Sequence, residues 1–433
     1  MAVIELDTGP APAAATHPPV RLYRPAGLVV AVALLLALGG AAPIVPASWR
    51  PLGSIALPID GSVTIAADRV VTVGDGIDSR EVGVWQADGR KRLWSATVDL
   101  AARDDQVVVS GGGRVVVAGG TVLVTRPDYR TTGLDLKTGR ELFVVPYRIE
   151  TVTSGAGLAR ETVFRPGTEY DQSSGDAGPL YLSADGRPYR APPESTALIG
   201  VDLTSGRELW RRPINGWGYT SVVGDTLLVV SADRLQVFDP ATGRVLRERA
   251  AGGTWAEVFG ETVVVQEDKR TVGYDLATLT QRWASPVRLL TDTITGARCD
   301  GVICRRGRDS LEVIDPATNT TAWQTGREVS LRREGDQVIE YDSLSQRPLR
   351  LNDARTGRTL ADLRGWQTIS QAGSGEPLLS RVEPGGRGMS FAVVRAGRIQ
   401  PLGYADSVVR DCRAADGLAA CRTEDRVELF AYR

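Results

Sequence analysis

The sequence predicts an all-β fold, an eight-bladed β-propeller, on three observations. A strand-turn-strand phrase recurs at intervals of about forty residues, each clear copy carries a large aromatic at the same offset, and nothing after residue 45 shows a sustained helical period. The phrase is plainest as Gly133-Leu134-Asp135-Leu136-Lys137-Thr138-Gly139-Arg140-Glu141-Leu142-Phe143 and again from Gly200 to Trp210, with looser versions starting at Val237, Gly273 and Val313. Its Asp and Thr side chains can bond the turn backbone, and its glycine supplies the positive φ that other residues adopt only with strain. Gly139, Gly206, Gly243 and Gly357 hold that place, which Leu279 and Asn319 take in the weaker copies.

Between the phrases, β-branched runs such as 221–230 and 256–265 read as two short strands around a glycine turn, giving four strands per unit. Four residues past the turn glycine position stand Phe143, Trp210, Trp283 and Trp323, with Trp94 one place later. Rings repeated at this position fill the wedge between neighbouring blades. Turn signals fall near residues 89, 139, 206, 243, 279, 319, 357 and 397, and the strand over 427–432 has no partner after it. Residues 47–57, with Trp49, supply that partner, so the two ends of the body pair and leave no open edge. Taken literally the signals make nine units; the irregular stretch 365–405 lowers the expected number to eight, with seven or nine as the alternatives.

Ahead of this body, 47–433, residues 26–45 carry no charge and are just long enough to cross a membrane as a helix. Arg21 and Arg24 precede the segment and Arg50 is the close basic residue after it, so the charge bias puts the N-terminus in the cytoplasm and the propeller outside. The alternative is a signal peptide cleaved in the small residues of 37–42, giving a secreted protein; the long leader and Pro43 argue against it. Residues 1–25, with Pro10, Pro12, Pro18 and Pro19 among alanines, read as a disordered cytoplasmic tail.

The four cysteines fit an oxidising compartment. Cys299 and Cys304 flank Asp300-Gly301, Cys412 and Cys421 flank Asp416-Gly417, and each pair straddles a turn at an equivalent place in its repeat. The preferred pairing is therefore two hairpin bridges, Cys299 to Cys304 and Cys412 to Cys421; reduced thiols or a zinc site are the alternatives, and the sole histidine, His17, lies in the tail. One unit is oversized: an insertion over 165–196 contains Pro166, Asp171, Asp176, Pro179, Pro188, Pro192 and Pro193, and such insertions project from one face of a repeat fold.

The phrase at 200–210 resembles the tryptophan-docking repeat of pyrroloquinoline-quinone (PQQ) proteins, Ala-x-Asp-x-x-Thr-Gly-x-x-x-Trp, and the likeness extends over most of the chain after Ala47. The resemblance implies a ring-closed eight-bladed propeller and either of two activities, quinoprotein dehydrogenase or non-catalytic propeller. The dehydrogenase branch holds its quinone on calcium through acidic and amide side chains, often under a disulfide of adjacent cysteines. This chain has no Cys-Cys pair, no Cys-x-x-Cys-His haem segment and no dense Asp/Asn cluster, so none of that branch's catalytic residues maps onto a position here. Nor does the sequence contain a Gly-x-Ser-x-Gly elbow or a phosphate-binding loop, and Asp104-Asp105 and Glu424-Asp425 sit at turn-like, solvated places. The expectation is a non-enzyme with no catalytic, cofactor or metal residues, acting as a membrane-anchored binding or scaffold module for another protein or an envelope component. A PQQ-dependent oxidoreductase and an extracellular ligand sensor are the alternatives. A formal net charge of −1 with dispersed arginines excludes a nucleic-acid binder.

Overall fold

The computed structural model describes residues 48–433 apart from several stretches, the longest being 100–114, 172–179 and 290–298. Residues 1–47, on which the tail and membrane-helix expectations fall, lie outside the described residues, as do Asp176 and Pro179 of the insertion. Among the described residues there is no α-helix, and none long and apolar enough to cross a membrane. The described strands build nine four-stranded antiparallel blades, at residues 62–99, 115–145, 149–214, 219–250, 255–285, 299–326, 329–362, 367–405 and 410–432, the last completed by Trp49–Ala56.

Nine blades correct the expected eight. The stretch that looked irregular is a complete blade, with strands Gln367–Gln371, Leu378–Val382, Met389–Arg395 and Arg398–Ala405. Its last turn is a tight Ala396-Gly397 link, both residues at positive φ, which needs no Asp/Thr signature and so leaves none in the sequence.

Strand character follows from position in the blade. A second strand is covered on both faces by neighbouring blades, so it reads as an unbroken apolar run; Leu227, Leu228, Val229 and Val230 are all fully buried. An outer strand sees solvent, and Val245–Ala250 alternates half-buried with exposed residues. Apolar clusters join side chains of adjacent blades, such as Leu228 and Val230 of the fourth with Val263 and Val265 of the fifth.

Ring closure joins the two ends of the body. Trp49–Ala56 pairs antiparallel with Arg426–Tyr432, Trp49 opposite Tyr432 and Ala56 opposite Arg426. Trp49 stacks on Phe391 of blade 8 and Phe430 of blade 9, ring centroids 4.1 and 4.7 Å away. Arg422 donates to the carbonyls of Gly61 and Pro58, fastening blade 9 to the connection that leads into blade 1. Innermost strands of blades 6 and 7, and of 8 and 9, are also joined by short parallel pairings at Cys299/Leu331 and Ser370/Arg413. The disulfides Cys299–Cys304 and Cys412–Cys421 lie in the first hairpins of blades 6 and 9, so each clamps a strand engaged in such a pairing.

Candidate functional site: two faces of the ring

Because successive strands reverse direction, the first-to-second and third-to-outer turns of every blade emerge on one face. The second-to-third turns and the connections between blades emerge on the other. The chain enters at Ser48 and leaves at Arg433 on the first of these, the tight-turn face, where Arg433 N donates to Ser48 O at 3.0 Å.

On the tight-turn face each Asp caps its own turn. Asp135 Oδ1 accepts from the backbone nitrogens of Lys137 (3.0 Å) and Thr138 (2.7 Å), and Asp202 Oδ1 from those of Thr204 and Ser205 (2.8 and 2.9 Å). The hydroxyls of Thr138 and Thr204 also donate to these carboxylates, holding both acids below their ordinary range. Asp275 falls to about 2, first through its bond from Arg282 and then through those from Thr278. The glycine place requires the left-handed conformation: φ is +73° at Gly139 and +70° at Gly206, and Leu279 and Asn319 are forced to +56° and +58°.

The aromatics named in the sequence lie between blades. Trp94 Nε1 donates to Leu136 O of the next blade (2.9 Å), Trp210 to Pro240 O (2.8 Å), Trp283 to Pro316 O (2.8 Å) and Trp323 to Ala354 O (3.0 Å). Each acceptor is the carbonyl just after a turn Asp, so the indole binds the neighbouring turn while its rings lie against that turn's backbone. Phe143 has no donor, and the Thr121 hydroxyl takes over by donating to Leu203 O at 2.8 Å. A Cβ at Gly133, Gly200 or Gly273 would overlap the ring of that blade's own aromatic, so these glycines are the floor on which the rings lie. The aromatics are therefore structural wedges.

The long-loop face is different. Phe164 stacks on Tyr189 at a centroid distance of 3.9 Å, and a small hairpin pairs Tyr181–Leu182 with Pro188–Tyr189 inside the insertion. Tyr170 N bonds Pro188 O (2.9 Å), Arg190 N bonds Thr168 O (2.8 Å), and the Arg190 guanidinium lies over the Tyr170 ring. This hairpin has no strong sequence signal, since proline and glycine dominate the composition. Val163, Leu180 and Leu182 are 46%, 50% and 53% exposed, and Leu344, on another loop of this face, is 90% exposed. Nearer the axis, Tyr219 and Trp255 top the innermost strands of blades 4 and 5 with ring centroids 6.2 Å apart. Burial, and then the Glu257 carboxylate, push the Tyr219 hydroxyl above its ordinary value. Among the described residues no group of three or more His, Cys, Asp or Glu side chains converges on a position for a metal ion.

This architecture is that of a β-propeller whose blades are tied by a repeated turn and an offset aromatic. Residues 194–388 match the family model described as outer membrane protein assembly factor BamB, and those residues carry repeats of that family. Among solved structures the chain is similar to BamB from Moraxella catarrhalis (13% identity, 89% of this chain and 98% of that one, TM-score 0.38). It is also similar to the computationally designed Ika8 protein (13% identity, 88% and 100% of the chains, TM-score 0.42). A europium-containing methanol dehydrogenase is similar at 10% identity over 88% of this chain and 85% of that one, TM-score 0.40. No curated protein matches the chain in sequence.

Proposed function

We propose that this protein is a single-pass membrane protein, anchored through residues 26–45 with its N-terminus in the cytoplasm. Its propeller acts outside the cytoplasm as a non-catalytic scaffold that holds another protein of the cell envelope on the long-loop face. The observation that carries this reading is the uneven placement of exposed apolar side chains. Val163, Leu180, Leu182 and Leu344 are on long-loop-face segments, whereas Leu246, beside the Asp239 turn, is the comparable residue on the other face. Exposed apolar residues gathered on one side of a rigid body mark a contact surface. Ser48 and Arg433 lie on the tight-turn face, away from the long loops. The family description, an outer membrane protein assembly factor, agrees with a protein partner.

Crosslinking of the full-length chain in membranes, followed by affinity capture, tests the proposal. A specific partner is expected with the natural chain, lost in Leu182→Arg and retained in Leu246→Arg on the opposite face. Recovery of no specific partner, or equal loss in both variants, overturns it. A reporter enzyme active only outside the cytoplasm, fused after Arg433, should be active; an inactive, stable fusion refutes the orientation.

A further inference from the structure

The residue just before the third-to-outer turn packs toward the preceding blade, and the repeat supplies its own controls. Leu134, Val201, Phe238, Tyr274, Ile314 and Asn352 hold this place in blades 2 to 7, and each is 3% exposed or less. In blade 1 the equivalent residue is Trp85, paired with Val70 as Leu134 is with Val122, yet it is only partly buried. The cause is the ring seam. The preceding blade is completed by the start of the chain, and Ala56, Leu57 and Pro58 leave a half-open pocket of about 320 Å³ against blade 1.

The pocket is polar in a particular way. Trp85 Nε1 donates to Thr72 Oγ1 (3.0 Å), which donates in turn to Gly83 O (3.3 Å), so the indole is fixed in place. Gly83 provides the room for it: a Cβ there would stand 2.9 Å from Thr72 Oγ1 and 3.1 Å from Trp85 Nε1. The Arg92 guanidinium lies over the Trp85 ring, 5.7 Å from its centroid, and bonds Glu81 Oε1 at 2.8 Å. Exposed Ser79 and Thr97 complete the lining.

We propose that the seam pocket binds a neutral pyranose unit of a glycan. The part of the indole that Arg92 and the seam leave uncovered offers an apolar surface for the C–H face of a sugar ring, while the Glu81/Arg92 pair offers an acceptor and donors for hydroxyls with no net charge to select an ion. Ser79 and Thr97 add neutral partners. A pinned indole lowers the ordering cost of binding, and a concave site with a few convergent polar groups is the usual form of a small-ligand site. The inference is independent of the partner assigned to the long-loop face.

Saturation-transfer NMR on the full-length protein in a sugar-free detergent tests it. The neutral probes are the methyl glycosides of glucose, galactose and mannose, and N-acetylglucosamine; glucuronate and glucosamine are the charged ones. At least one neutral probe should bind saturably in the millimolar range, with the charged probes about tenfold weaker or more. Trp85→Ala should weaken binding about tenfold or more, and Trp366→Ala, elsewhere on the ring, should not. Because Trp85→Ala also loosens the seam, Thr97→Val on the exposed rim is the second variant and should weaken binding several-fold with an unchanged unfolding midpoint. Failure of all four neutral probes to bind overturns the proposal. So does natural binding in both Trp85→Ala and Thr97→Val, or equal binding of the charged sugars.

Discussion

The tight-turn and long-loop faces grow from opposite ends of the same strands, and they differ in how their polar and apolar groups are used. On the tight-turn face the Asp side chain caps the turn from within and an indole from the preceding blade donates to the carbonyl after it, as at Asp239 and Pro240. On the long-loop face the insertion stacks Phe164 on Tyr189 and Arg190 on Tyr170, and leaves Leu180 and Leu182 in solvent. One face ties each turn to its neighbouring blade; the other leaves apolar side chains in solvent.

Substitutions on the two faces should therefore differ in cost, and four measurements sharpen or break the comparison. Trp210→Ala removes a ring that is 9% exposed together with the donor to Pro240, and should lower stability by about 3–5 kcal/mol in urea unfolding. Trp210→Phe should recover most of this, as Phe143 already serves in blade 2. Replacing Cys299 and Cys304 together by alanine should cost about 2–3 kcal/mol on the chain-entropy account of a small closed loop. Tyr189→Ala, on the long-loop side, should cost only about 1 kcal/mol while making the insertion more sensitive to protease. A loss as large as that of Trp210→Ala would show that the insertion is part of the ring's framework and not a surface carried by it.

The smallest effect is the pH dependence of the turns. Asp135, Asp202 and Asp353 are held below the ordinary Asp value of 3.8 by hydrogen bonds from turn residues, and Asp275 falls to about 2 through Arg282 and Thr278. A depressed folded-state pKa stabilises above the unfolded value and loses that contribution as pH falls through the folded one. Stability from these turns should be level above pH 3.8 and decline from there toward pH 2, most steeply for Asp275. Asp275→Asn should flatten that decline in acid unfolding.

Much of this was legible in the residues. The Asp, Thr and Gly of each phrase specify a local turn, and the aromatic offset places a ring on the outer strand; neither needs distant chain. The cysteine pairs were legible for the same reason, since each spans a single hairpin. The blade over 367–405 was counted from its turn near 397 and then set aside as irregular, because a tight Ala396-Gly397 turn carries no Asp signature. The ordered insertion hairpin was hidden because its stability rests on stacked rings, Phe164 and Tyr189, that lie twenty-five residues apart in sequence. Trp85 gave no signal of its own, because its exposure depends on how residues 56–58 pass it at the seam.

The sequence by itself determined the repeating unit, its turns and its inter-blade wedges, because a turn and an offset ring are set by contacts within a few residues or in the adjoining repeat. Only the tertiary structure decided that nine units close the ring, which loops share a face, and that the first strand leaves a pocket beside Trp85. Those outcomes depend on the angle accumulated around the axis and on the meeting of Trp49–Ala56 with Arg426–Tyr432, and no single repeat encodes either.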